Sequence, residues 1–300
     1  MRYGKIEGMH PQRIVCLTEE TTETLYLLGE QQRIVGISGF TVRPPQARKE
    51  KPRVCAFTSA NTAKIVALKP DLVLGFSDLQ ADIAVQLIKL GIDVHIFNQR
   101  SIDQILRMIH VLGGMVGCAA KAAALVATLR DGLTSIRDAA LRLPKRPRVY
   151  FEEWDAPQIS GIKWVSELIE LAGGIDCFPE LAQESLARNR IIADSSEVVR
   201  RAPDIIMGSW CGKKFNSAAV AARSGWGEIP AVRSGALYEI KSPIILQPGP
   251  AALTDGVRRM HDIIAAWAAS GQSAAAQAKS DEKARPPLRC HAVSSRNASR

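Results

Sequence analysis

Short apolar runs alternate along the chain with longer stretches whose apolar residues fall three, four or seven apart. The first pattern predicts buried strands and the second amphipathic helices. In the first half, residues 13–17 (RIVCL) and 33–38 (RIVGIS) read as strands. Between them a helix opens at 18–22 (TEETT), with hydroxyl caps and acids in its first turn, and ends at Gly29. A short strand follows at 54–56, a helix at 61–68 and a buried strand at 72–74. A helix over 78–90 stops at Gly91, 94–97 is a strand, and Ser101 caps a helix to Leu112. Strands alternating with helices in this order predict a parallel α/β sheet.

Residues 119–143 (AAKAAALVATLRDGLTSIRDAALRL) are rich in helix formers and free of proline until Pro144. Leu125, Leu129, Ile136, Ala140 and Leu143 draw one apolar stripe, so a single helix of about 37 Å is expected. That length suits a helix running along two lobes better than one closing a βαβ unit. Similar stretches stand on either side of it. Residues 65–75 (IVALKPDLVLG) and 198–208 (VVRRAPDIIMG) are each a helix end, a Pro-Asp turn and an apolar strand ending in glycine. This repeat predicts two lobes with a cleft between them.

Beyond the long helix the pattern restarts. Strands are expected at 148–151, 205–207 and 236–240, and helices at 163–172, 195–201 and 251–269, the first closed by Gly173 and Gly174. The expected organisation is a loose leader over 1–12, a first lobe over 13–118, the connecting helix over 119–143, a second lobe over 144–269 and a disordered tail over 270–300. From Ser270 the composition turns to Ser, Ala, Gln, Lys and Arg without periodicity.

Composition narrows the classes. At 46% hydrophobic over 300 residues the chain has ample material for one large or two medium cores. No apolar run approaches the roughly 18 residues of a membrane span, so no membrane insertion is expected. The first residues, MRYGKIEGMHPQRIVCL, carry Lys5, Glu7, His10 and Arg13 where a signal peptide would be apolar. The chain as it stands is expected in the cytosol, and in the periplasm if its true N-terminus is longer. The six cysteines form no CxxC pair and no zinc spacing with the five histidines, so free thiols and no metal site are expected. The net charge of +9 is concentrated partly in the last thirty or so residues and comes with no nucleic-acid motif.

In open α/β sheets, ligands sit beyond the carboxyl ends of strands. The loops there hold much of this chain's 5% aromatic content. Phe40, Phe57, Phe76, Phe97, Trp154 and Trp210 follow successive strands, as though to hold a large apolar ligand. Arg43, Lys213, Lys214 and Gln247 are polar candidates in the same loops. Glu152 and Glu153 are consecutive in a strand and point to opposite faces, so they make a poor acid–base pair. No phosphate loop, GxSxG elbow or HExxH is present. No catalytic residue is expected.

Several of these stretches carry a family resemblance: 33–38 (RIVGIS), Pro44-Pro45-Gln46, 64–74 (KIVALKPDLVL), 90–94 (LGIDV), 159–174 (ISGIKWVSELIELAGG) and 202–206 (APDII). Over about residues 13–269 the chain resembles the helix-spined substrate-binding proteins of vitamin B12 and iron-siderophore ABC importers, and most closely the cobalamin binders. The resemblance implies two Rossmann-like lobes with parallel sheets joined by one long spanning helix. It also implies a monomer that binds cobalamin or a related corrinoid as ligand, with no intrinsic cofactor. By position Phe40, Phe57, Phe76 and Arg43 fall where the cobalamin binders place cleft residues; with the loop candidates the expected ligand set is Phe40, Arg43, Phe57, Phe76, Trp154, Trp164, Trp210, Lys213 and Gln247. Iron-siderophore or haem binding is the alternative, and a corrinoid-processing enzyme a third. Where importer-linked members carry glutamates that meet an ABC permease, this chain has Ala63 and Ser196, with Glu197 adjacent. That departure argues against permease docking and for a relative that handles a corrinoid without feeding a transporter.

Overall fold

The computed structural model describes residues 9–283, with side chains through Ser270. The first half contains β1 (Ile14–Cys16), α1 (Glu19–Leu27), β2 (Ile34–Ser38), α2 (Ala47–Glu50), β3 (Arg53–Cys55), α3 (Thr62–Ala67), β4 (Leu72–Phe76), α4 (Ala81–Lys89), β5 (Val94–Phe97) and α5 (Ile102–Met115). Its five strands form one parallel sheet in the order β3-β2-β1-β4-β5. The order reverses at β1, which opens a crevice at the carboxyl ends of β1 and β4.

The helix α6 (Ala119–Ala140) follows at once, ending three residues before the expected Leu143. It packs along α5 on one side and along the second half on the other. Leu129 and Leu133 are buried, and Leu125, Val126 and Ile136 pack against the same core. Close approach of α5 and α6 depends on Gly113, where a Cβ would lie 2.2 Å from that of Ala122.

The second half comprises β6 (Arg148–Asp155), β7 (Gln158–Ser160), α7 (Lys163–Leu171), β8 (Ile175–Asp176), α8 (Ser196–Arg201), β9 (Ile205–Gly208), α9 (Ser217–Ala221), α10 (Pro230–Ser234), β10 (Leu237–Glu239), α11 (Ser242–Ile245) and α12 (Val257–Lys283). The sheet order is β10-β9-β6-β7, with β8 also pairing with β6. One expectation is corrected here, since the second sheet is not wholly parallel: β7 folds back antiparallel on the end of β6. The last helix, expected to close at Ala269, extends to Lys283. Cys290 and His291 lie outside the described residues. Residues 11–13 are hydrogen-bonded to the first half. The N–H groups of Gln12 and Arg13 donate to Asp71, and Arg33 donates to the Pro11 carbonyl.

The internal repeat is a repeat of structure. Asp71 accepts the N–H of Arg13 at the head of β1 at 2.8 Å, and Asp204 accepts that of Arg148 at the head of β6 at 2.9 Å. The fifth residue of each stretch, Lys69 and Ala202, stands just before the proline with φ of 47° and 45°. The Pro-Asp sequence is therefore a pin that fastens the following strand to the first strand of its own half.

Most of the buried apolar residues form one continuous cluster through both sheets and through α5, α6, α7 and α12. A smaller cluster of Val15, Leu17, Val54, Ile65, Val73, Ile83 and Leu87 fills the outer face of the first sheet. Polar ties also join the halves. Gln99 donates to the Pro248 carbonyl at 3.0 Å, and Glu167 accepts the N–H of Ile102 at 2.7 Å.

Candidate functional site

At the crevice beside β1 the chain turns into α1 through Thr18. This hydroxyl does not cap the helix, as the sequence suggested; it donates to Glu20 Oε1 at 2.7 Å. Every residue from 19 to 25 is buried, including Glu19 at 5% exposure and Glu20 at 1%. Burial, with the charges of Glu20 and Glu23 nearby, pushes the Glu19 carboxyl up to about 8. Burial likewise raises Glu20 to about 7, against the hydrogen bond from Thr18. The turn 248–250 (PGP) lies directly over Glu20, and a Cβ on Gly249 would come within 2.5 Å of the Glu20 Cβ. Glu23, one turn on, accepts the Ala251 N–H at 3.1 Å and the Arg43 Nε at 2.9 Å.

Beside this turn, Phe76 is buried beneath the Arg100 guanidinium, whose carbon lies 4.6 Å from the ring centroid. The Phe57 carbonyl accepts from Gln80 at 2.8 Å while its side chain is half-buried. Phe40 is 57% exposed at the tip of its loop. Phe97 is buried edge-on to His95 at 4.3 Å.

In the second half, Glu152 and Glu153 do point to opposite sides. Glu152 is fully buried and accepts from Tyr150 at 2.9 Å, Trp210 Nε1 at 3.1 Å and Arg223 Nη2 at 2.9 Å. Glu153 is gripped by Arg190 through two hydrogen bonds of 2.7 and 2.8 Å. Trp210 is held against Phe215 at 5.0 Å. Lys213, in the loop between them, places its amine 4.9 Å from the Trp210 centroid and 5.5 Å from that of Trp154, with Asp155 as counter-ion. The structure thus brings Trp154, Trp210 and Lys213 together. It puts Trp164 elsewhere: that indole is buried and donates to the Ile245 carbonyl at 2.9 Å, fastening α7 to α11. Gln247 is half-buried at the start of the segment that returns over α1. Lys214 is exposed.

The two sides are in electrostatic reach of one another. Arg100 feels Glu20 from the first half and Glu153 and Arg190 from the second, and Cys211 feels both Glu19 and Glu153. Several buried polar atoms around this junction have no partner: Glu19 Oε2, Glu20 Oε2, Thr41 Oγ1, Gln99 Oε1, Arg100 Nε, Asp155 Oδ1 and Ser209 Oγ. By local pattern the polar run 18–24 reads as an ordinary helix start. Its signal in the sequence was position, directly after the central strand.

Two surface cavities lie at the edges of the first sheet. One of about 620 Å³ runs along β3 and the start of α3, past Cys55, Ser59 and Lys64, and one of about 300 Å³ lies between β5 and α5. Neither joins residues of both sheets. Among the described residues no group of three or more His, Cys, Asp or Glu is placed to hold a metal, and Cys16, Cys55, Cys118, Cys177 and Cys211 are free thiols. Among the described residues no helix is long and apolar enough to cross a membrane.

A family model described as periplasmic binding protein matches residues 14–244. The cobalamin-binding protein of Halobacterium salinarum is 27% identical over 255 residues, covering 80% of this chain, and the chain spans 66% of that relative's length. Among solved structures, the periplasmic vitamin B12 binding protein of Vibrio cholerae superposes with a TM-score of 0.69 at 22% identity, over 86% of this chain and 98% of that one. The periplasmic heme-binding protein of Roseiflexus sp. RS-1 superposes with a TM-score of 0.71 at 23% identity, over 84% and 99%. Likeness at this identity shows the fold and does not choose between the two ligands.

Proposed function

The chain belongs to the periplasmic binding protein family, and from that premise we propose that it binds cobalamin or a related corrinoid between its two sheets, as a monomer and without catalysis. The observation that carries the reading is the make-up of the loops at the strand ends. They supply the half-buried indole of Trp154, backed by the buried Trp210, and buried hydrogen-bonding atoms without partners. They contain no His, Tyr or Met. Haem iron commonly takes such a ligand. An anionic siderophore meets the same obstacle, because Arg43 and Lys213 are already engaged by Glu23, Asp255 and Asp155.

Glu152 and Glu153 are each held by an arginine, which supports binding over acid–base chemistry. At the positions where a permease would be met stand Ala63 and Ser196, and Glu197 is held by Arg200 and Arg201.

The test is an absorbance spectrum of the protein after incubation with cyanocobalamin, cobinamide, haemin or a ferric siderophore and removal of free ligand. Retained corrinoid colour, one per chain, is expected. Retention of haemin or the siderophore with neither corrinoid would overturn the reading.

A further inference from the structure

The orphaned polar atoms at the junction are not a random sample of donors and acceptors. Glu19 Oε2 and Glu20 Oε2 belong to carboxyls 5% and 1% exposed, and Gln99 Oε1 to an amide 3% exposed. The orientation of that amide is fixed, because its nitrogen donates to the Pro248 carbonyl, so the oxygen is the free end. On the facing side, Asp155 Oδ1 is another acceptor, and Ser209 Oγ, in a residue 1% exposed, serves as donor or acceptor. Arg100 Nε is the one free atom of the group that can only donate, and its guanidinium already stacks on Phe76 and faces Asp78. A buried polar atom left unpaired costs more than a typical hydrogen bond contributes. A set rich in acceptors is therefore matched by a ligand that brings N–H or O–H groups.

Resting on the corrinoid reading, we propose that Glu19, Glu20 and Gln99 form an acceptor edge that selects a ligand by its peripheral amide N–H donors and rejects one presenting carboxylates there. The corrin periphery of cobalamin carries carboxamides, each with two donors. Above about pH 8, where both carboxyls have given up the protons they hold at lower pH, a tetrapyrrole with propionates, or a corrinoid with acids in place of amides, brings negative charge and no donor to two buried carboxylates. Gly249 contributes by its lack of a side chain, which lets the 248–250 turn pack against the backbone and Cβ of Glu20 and hold that residue in place. Specificity then comes from the unpaired charge that the wrong ligand would suffer as much as from the bonds the right one makes.

The experiment is calorimetric titration of the full chain at pH 8.5 with cyanocobalamin and with cobyrinic acid, in which the peripheral amides are carboxylic acids. It is repeated on Glu19→Gln, Glu20→Gln and the double variant, with folding checked by circular dichroism. The wild type should favour the amide form by about tenfold or more, and the double variant should narrow that ratio to about threefold or less. Equal affinities in the wild type, or a ratio unmoved in folded variants, would overturn the proposal. Failure of both corrinoids to bind would sink the functional reading instead. The acceptor edge is then judged on a second pair, ferrioxamine B, with its ammonium and amide donors, against haemin, with its two carboxylates. Preference for ferrioxamine B supports the edge. Preference for haemin, or binding of neither, overturns it and leaves the orphaned acceptors to water.

Discussion

Arg43 and Asp255 meet across the two halves of the molecule, Nη2 to Oδ2 at 2.9 Å, while Nε of the same guanidinium donates to Glu23 at 2.9 Å. The arginine that the sequence offered as a ligand contact is thus placed as a clamp. Its two partners differ in burial, with Glu23 at 10% side-chain exposure and Asp255 at 44%. Arg43→Met should cost about 1–2 kcal/mol of stability, mostly by leaving Glu23 with the Ala251 N–H alone. Asp255→Asn should cost no more than about 0.5 kcal/mol. Urea denaturation of both variants checks this, and equal losses would place the weight on the pair between halves.

Glu19 and Glu20 make stability depend on pH with an unusual sign. Their carboxyls sit at about 8 and about 7 in the folded chain against an ordinary value of 4.5. The folded form keeps protons that the unfolded form gives up, so the stabilising contribution is full below about 4.5 and is lost as pH rises through 7 and 8. The Glu19→Gln, Glu20→Gln double variant has no such loss. Its melting temperature should draw level with the wild type near pH 5 and exceed it increasingly up to pH 8.5. A parallel pH profile in the two proteins would contradict this.

Lys69 and Ala202 hold φ of 47° and 45°, which costs an L residue about 1 kcal/mol. Glycine adopts this conformation freely but has more to lose from the unfolded chain. Ala202→Gly and Lys69→Gly should each stabilise by about 0.5 kcal/mol, read as a rise in the denaturation midpoint. A fall in both would mean that the strain is relieved locally by the Pro-Asp pin.

The continuous core through α5, α6, α7 and α12 leaves little room for the halves to swing. The unbroken α6, about 33 Å long, bends only gently. Ligand should therefore enter with small loop adjustments, centred on 39–45 and 209–215. Small-angle scattering should give the same radius of gyration with and without cyanocobalamin. A clear decrease on binding would show a hinge.

The architecture was readable where local pattern decided it. The Pro-Asp repeat and the apolar stripe from Leu125 to Ile136 each lie within one segment, and both appear in the structure. The short antiparallel β7 escaped because three residues carry no periodicity. The site was less legible, since each misplaced residue has a partner far along the chain. Trp164 looks like a ligand aromatic until Ile245 is set beside it. The run 18–24 looks like a solvated helix start until Gly249 and Ala251 close over it. Burial of a glutamate is decided by a segment more than two hundred residues away, and no window of local sequence contains both.

The two Pro-Asp pins also bear on how the chain folds. Asp71 closes a loop of 58 positions back to Arg13, and Asp204 one of 56 back to Arg148. Closure entropy grows only with the logarithm of loop length, so the two differ by about 0.03 kcal/mol, far below thermal energy. Neither half has a head start from its connectivity. The order in which they nucleate is left to the apolar surface each can bury on first contact. Whichever half collapses first presents α6 as a ready wall against which the other can condense.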